Sequence, residues 1–403
     1  MKILMLRPSY NPELSAGNHL AQDLIIDIEK DGHDIELITP VSDKFNGLPG
    51  GYKDPCKVHR VRSKLRGNNV LIRIFRYIDT SLSMYRLGKK ISCDIIVTHS
   101  MPPLIGPLSC VLAKRKHVPV IYWEQDVVSN SIISTGIGKP HSLKQRCMFY
   151  IALFLEKYTE KHCTHIITIS EQFKKFHIDR GIDENKVSVI YNWIDTNQIY
   201  PKNRKDNKLF DDLNISREEF VVSYCGNLGV PQNVEIMIDA AEKLKEIPEL
   251  KFLIIGNGSR ENAIKRYISD KNLPNLIYHP LYPLSQACDV YNLGDVGLVI
   301  GRKGTSGNGF PSKTWSIMAA GQAMISCFDV DSELSGFVRT GQCGISIQPD
   351  SSIDLENAII KLYDNRDLCK ESGKNGRKFA MKHADRKNAT RKFLDTITMV
   401  SSQ

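Results

Sequence analysis

One loop holds the residues best suited to chemistry. Asn308-Gly309-Phe310-Pro311-Ser312-Lys313 sets a glycine loop beside a cation. Binding a phosphoryl group requires that combination, with backbone amides for the oxygens and an ammonium to offset their charge. Arg302 and Lys303, just upstream, are candidates for the same task. Glycine turns at Ser15-Ala16-Gly17, Gly226-Asn227-Leu228-Gly229 and Gly256-Asn257-Gly258 each follow an apolar run, and exposed amides at such turns also suit phosphate. Neither a G-x-G-x-x-G fingerprint nor a Walker loop is present, which counts against nicotinamide and ATP chemistry. No convincing pair of carboxylates brackets a bond as glycoside hydrolysis requires. No Asp-x-Asp cation site is visible in the segments around these loops, so no metal is expected. The ten cysteines, Cys56 to Cys369, stand singly, without zinc-ligand or compact disulfide spacing.

These loops need elements to carry them. The chain has 403 residues, 41% hydrophobic and 25% charged, enough for two or three domains with ordinary globular cores. Apolar runs of strand length recur at residues 3–6, 35–39, 95–98, 118–123 and 165–169, separated by helical segments; the second half repeats the pattern at 220–225, 251–255, 276–279, 296–300 and 323–327. Such alternation predicts parallel sheets with crossover helices. Leu20, Leu24, Ile25 and Ile28 repeat at helical spacing up to Asp31-Gly32, as do Val234, Met237, Ile238, Ala241 and Leu244. The expected fold class is therefore α/β, with two Rossmann-like doubly wound domains facing across a cleft. Their ligands would bind at the carboxyl ends of the strands. The expected boundaries are 1–200, 208–385 and a C-terminal helix at 386–403 that crosses back to the first domain, with the polar stretch Lys202 to Asp212 as linker.

Basic residues outnumber acidic ones 54 to 45, a formal charge of +9, which favours anionic partners. From Lys57 to Lys90 there are ten basic residues and one acid, Asp79, interleaved with apolar residues such as Leu71, Phe75 and Ile78. That pattern reads as an interfacial helix on an anionic membrane surface. Phe149, Tyr150, Phe154 and Tyr158 form a second basic, aromatic stretch. No nucleic-acid motif accompanies the charge. The longest apolar block, Met148 to Leu155, is far short of the roughly 20 residues that span a bilayer, and the N-terminal apolar run is too short for a secretory signal. The expected location is cytoplasmic, peripheral to the inner face of the cell membrane.

Several of these segments together resemble the retaining GT-B glycosyltransferases of the group 1, family 4 type. They are Tyr10-Asn11-Pro12, Ala16-Gly17, Asp31-Gly32-His33, Tyr224 to Gly229 with Asn233-Val234-Glu235, Ile255 to Gly258, Gly309 to Trp315 and Met318 to Gly321. The similarity runs over nearly the whole chain and is strongest to the branch that builds bacterial surface polysaccharides. The resemblance implies transfer of a sugar, an N-acetylated aminosugar, from a UDP-sugar to a lipid-linked (polyprenyl diphosphate) saccharide in O-antigen, capsule or exopolysaccharide synthesis. No cofactor is implied, since the UDP-sugar is a co-substrate. Matched position by position, His99 lies beside the transferred sugar and Lys313 on the diphosphate, as the two catalytic candidates. Gly17, Gly226, Asn227, Gly258, Arg302, Asn308, Gly309, Phe310, Pro311, Ser312 and Ser316 fall on the donor side, and Glu124 and Asp126 on the acceptor side.

Two departures from the family pattern stand out. The two glutamates that many relatives carry in the donor loop are Asn308 and Ser316 here, and their diphosphate Arg and Lys are Asn227 and Gln232. A clamp built on Lys313 and backbone donors is the consequence. Two other readings remain open at this level: a UDP-sugar 2-epimerase of the same architecture, and a non-catalytic membrane-associated subunit.

Overall fold

Strand β1 (Lys2–Leu6) is apolar from Ile3 onward and buried on both faces, as a central parallel strand must be. In the computed structural model, which describes residues 1–13, 17–42, 45, 47–67, 69–134, 143–307 and 309–402, the chain divides into two compact units. One is Met1–Asn192 with Lys387–Gln403, the other Trp193–Arg386.

In the first unit, β1 is followed by helix α1 (Asn18–Lys30), β2 (Asp34–Pro40), β3 (Lys57–Val61), α2 (Val70–Gly88), β4 (Ile95–His99), α3 (Ile105–Lys116), β5 (Val120–Trp123), α4 (Val128–Ser134), α5 (Leu143–His162), β6 (His165–Thr168), α6 (Glu171–Asp179) and β7 (Val187–Val189). All seven strands are parallel, in the order β3-β2-β1-β4-β5-β6-β7. Leu4 and Leu6 share a core with Met84 of α2 and Leu112 of α3. The C-terminal helix, Arg386–Ser401, joins this unit from Lys387 on. It packs Phe393 edge-on against Trp123, ring centroids 5.1 Å apart, and donates Thr390 Oγ1 to Asp27 on α1 at 2.9 Å.

The second unit holds β8 (Phe220–Asn227), β9 (Leu250–Asn257), β10 (Leu276–His279), β11 (Val296–Ile300), β12 (Ala323–Cys327) and β13 (Gly344–Ile347), parallel in the order β10-β9-β8-β11-β12-β13. Period-2 alternation divides its cores. Phe220, Val222 and Tyr224 enter one cluster, whereas Val221 joins Leu253 and Ile255 in another, so both faces of the sheet are covered.

Two segments differ from their reading in the sequence. The basic stretch at 57–90 is not one helix: its first residues form β3, an edge strand on β2, where Lys57 pairs with Glu36 at 3.3 Å and Arg60 with Asp54 at 2.7 Å. The polar stretch at 202–212 belongs to the second unit. Lys202 and Arg204 pair with Asp289 and Asp295, and Leu209 and Phe210 are buried in its core.

In each sheet the strand order reverses at one point, between β1 and β4 and between β8 and β11. Loops leaving such a point diverge to opposite faces and open a crevice at the strand carboxyl ends, where ligands of doubly wound sheets bind.

Candidate functional site

Lys313 lies at the crevice of the second unit. It opens the helix Lys313–Ala319 after β11, and its ammonium sits 3.8 Å from the centre of the Tyr224 ring on neighbouring β8. The Tyr224 hydroxyl donates to the Asn227 carbonyl at 2.7 Å, fixing the ring under the cation. The Lys313 stem is half-exposed, but Nζ is buried and has no hydrogen-bond partner among the described residues. Burial lowers its pKa to about 8, because a desolvated ammonium is disfavoured. An anionic oxygen within reach would satisfy the vacant N–H donors and restore the ordinary pKa.

Glycine is required beside it. A Cβ on Gly226 would lie 2.7 Å from Lys313 Nζ, at a left-handed φ of 149°. On Gly258 it would lie 2.4 Å from the Leu228 carbonyl oxygen. Asn227 is exposed, its amide near Gln232 at 3.5 Å.

The loop before Lys313 is held from outside. Asp329 accepts the amides of Gly304 at 2.9 Å and Ser306 at 3.2 Å, while Asp350 accepts that of Lys303 at 3.0 Å. Contrary to expectation, an Asp-x-Asp sequence, Asp329-Val330-Asp331, adjoins these loops, and Asp329 commits its carboxylate to this loop. Arg302 turns its Nε to the Val230 carbonyl at 2.7 Å, tying the loop rather than standing free. Phe310 is buried and stacks on Trp315, centroids 5.3 Å apart, so only its backbone is left for a ligand. Gly309 and Pro311 are half-buried and Ser312 exposed; Ser316 is buried and hydrogen-bonds Tyr291. Asn308 lies outside the described residues.

In the first unit, His99 ends β4, Arg7 directly follows β1 and Gly17 caps α1, so they flank the other switch point. The His99 ring is buried, with Nδ1 accepting the Met101 amide at 3.1 Å. The Nε2 nitrogen must then carry the proton of a neutral ring. Burial, then the Arg7 charge, holds His99 well below its usual range. Arg7 itself is buried, donating to the Gly17 carbonyl at 3.3 Å and lying 5.0 Å over Trp123. Gly17 is left-handed, φ 79°, at the start of α1.

The two acidic candidates part company. Asp126 keeps an exposed edge, and the packing around its carboxyl, followed by the Glu124 charge, raises it to about 6. Glu124 corrects the expectation of an acceptor-binding role. It is fully buried and accepts His177 Nε2 at 2.7 Å, within a network in which Arg180 pairs with Glu160 and Glu156 takes the Ser129 amide and hydroxyl. This carboxylate ties the β5–α4 connection to α6.

Residues 18–198 match a family model described as Glycosyltransferase Family 4, and residues 205–379 match Glycosyl transferases group 1. The chain belongs to the group 1 glycosyltransferases. This glycosyltransferase is 22% identical over 418 aligned residues to WcaI of Escherichia coli K12, a protein named for colanic acid biosynthesis, covering 98% of this chain and all of that one. It is 28% identical over 208 residues, half of each chain, to an Escherichia coli UDP-Gal:alpha-D-GlcNAc-diphosphoundecaprenol alpha-1,3-galactosyltransferase. Its fold is GT-B. Anabaena Alr3699/HepE, solved with UDP and glucose, superposes with a TM-score of 0.76 at 16% identity, over 99% of this chain and all of that one.

Tyr224, Arg7, Asp329 and the His177 network were not found from the sequence. Arg7 had a signal, a lone cation directly after an apolar strand. Tyr224 and His177 had none, since an aromatic in a strand and a histidine in an amphipathic helix look like ordinary packing.

Proposed function

We propose that this glycosyltransferase moves a sugar, an N-acetylated aminosugar, from a UDP-sugar to a lipid-linked polyprenyl diphosphate saccharide, with retention of anomeric configuration and without a metal, in surface-polysaccharide synthesis. The reading rests on one observation above the rest: the buried Lys313 ammonium at the strand ends of the second unit, flanked by glycines and without a hydrogen-bond partner among the described residues. A cation so placed is offset when a diphosphate occupies the crevice. The names of the relatives support a nucleotide-sugar donor and a diphosphate-linked lipid acceptor.

In this reading the bond from the anomeric carbon to the β-phosphate oxygen breaks, and its electron pair leaves with UDP. Lys313 and the amides of the Gly309 to Ser312 loop stabilise the charge that develops there. The acceptor hydroxyl forms the new bond from the face the leaving group vacates, and its proton passes to the departing phosphate oxygen. His99, neutral with a proton on Nε2, donates a hydrogen bond that orients the sugar. Gly17 gives a close backbone approach to the diphosphate, and Asp126 meets the acceptor. The protein works at the membrane surface, held there through the basic segment within residues 57–90.

Incubating the purified protein with radiolabelled UDP-N-acetylaminosugars and polyprenyl diphosphate saccharides tests the proposal. Label is expected in the lipid fraction, in the α-anomer for an α-linked donor. Release of free, epimerised sugar without acceptor, or an inverted product, would contradict it.

A further inference from the structure

Helices α2, α3 and α5 form one layer on the first unit, with α3 packed against both of the others. On α5, Gln145, Ala152 and Glu156 face inward and are buried. The opposite side exposes Leu143, Tyr150, Ile151 and Phe154 at 78, 58, 61 and 68%, with Cys147, also exposed, in the same row. The spacing of this row is that of one helix face. The first two turns of α2 carry a matching row, Leu71 and Phe75 at 59% each with Ile74 and Ile78 at 36 and 38%. Scattered single apolar residues are ordinary on a soluble surface, but two such rows on one layer of helices are not.

The charge of the layer says what covers them. Among the described residues its exposed ionic side chains are basic, with Arg73 and Arg86 on α2, Lys114 and Arg115 on α3, and Arg146, Lys157 and Lys161 on α5. The acids of these helices are withdrawn from the surface. Asp79 accepts the Ser63 hydroxyl at 2.6 Å, and Glu156 and Glu160 are buried in the His177–Arg180 network. A second copy of this chain would set cations against cations. A bilayer surface with anionic headgroups offers acyl chains to the apolar rows and phosphates to the cations.

We propose that α5 is a second membrane anchor beside α2, the two apolar rows entering the headgroup–acyl boundary while the basic ridge of α3 lies over the headgroups. This deepens the membrane reading above, which placed the contact within 57–90 alone; Lys57 and Arg60 of that segment are already paired within the protein.

Cosedimentation of the full-length protein with phosphatidylcholine vesicles, with and without phosphatidylglycerol, is the test, alongside the emission of an environment-sensitive fluorophore on Cys147. Binding is expected to require phosphatidylglycerol and to blue-shift the Cys147 label. Ile151→Asp with Phe154→Asp is expected to weaken binding at least about tenfold, as Phe75→Asp does separately. UDP binding by both variants should match wild type, showing an intact fold. If only Phe75→Asp loses binding and the Cys147 label does not shift, the α5 anchor is wrong and the α2 contact stands. If the wild type ignores anionic vesicles, both are wrong. A dimer in solution that the α5 substitutions dissociate, with vesicle binding unchanged, would also overturn the anchor, making the row an interface between copies.

Discussion

Lys313 keeps its charge against the cost of burial, and that cost sets its pH behaviour. With a folded-state pKa of about 8 against an unfolded value of 10.5, the ammonium is charged below about pH 8 and neutral above it. Donor affinity is expected to weaken as pH rises through about 8, while stability rises between about 8 and 10.5 because the unfolded chain there binds the extra proton. Lys313→Arg should remove the limb in affinity, read by UDP titration at several pH values. Lys313→Ala should lower transfer roughly 100-fold with the melting temperature kept, in line with loss of one charge-stabilising donor. His177 has the opposite sign. Burial alone would lower its pKa, but the Glu124 and then the Glu160 carboxylate outweigh this and raise it to about 10 from 6.5. Its contribution to stability is therefore complete below about pH 6.5 and lost as pH rises through about 10. His177→Gln should cost about 3 kcal/mol near neutral pH by leaving Glu124 buried and unpaired. Urea denaturation of the variant should also show a flatter pH profile than wild type over that window.

Among the elements, the Asp329 clamp and the C-terminal helix carry the clearest consequences. Asp329→Ala frees the amides of Gly304 and Ser306. Because that loop lies at the surface, the expected loss is about 1 kcal/mol of stability, with the KM for donor raised roughly tenfold by the looser loop. Phe393→Ala removes a buried ring from Trp123 and should destabilise the first unit by about 3–5 kcal/mol, read by chemical denaturation. The sequence showed the central strands because they are buried on both faces and read as unbroken apolar runs, as in Ile95 to Thr98 and Val296 to Ile300. It hid β3, β7 and β13, which lie at sheet edges. Lys57-Val58-His59-Arg60-Val61 alternates with charge, and Val187-Ser188-Val189 is three residues long. At the site, the Gly309–Lys313 loop was legible because its chemistry is local. The partners that give it meaning, Tyr224 and Asp329, come from other strands, and Glu124 was misjudged because nothing beside it in the chain announces His177, 53 residues away.

For the whole molecule, two doubly wound units each bring cations and glycines to a strand-order reversal, Arg7 with Gly17 and Lys313 with Gly226. In the proposed reading these fixed donors stabilise the leaving diphosphate, a task that needs no carboxylates trading protons. Calorimetric titration of UDP into the wild type and into Lys313→Ala tests this most directly. Binding by the wild type, weakened roughly 30-fold or more in the variant, is expected for loss of a charged hydrogen bond of about 2 kcal/mol. Equal affinity in the two proteins, with the variant folded, would contradict the account.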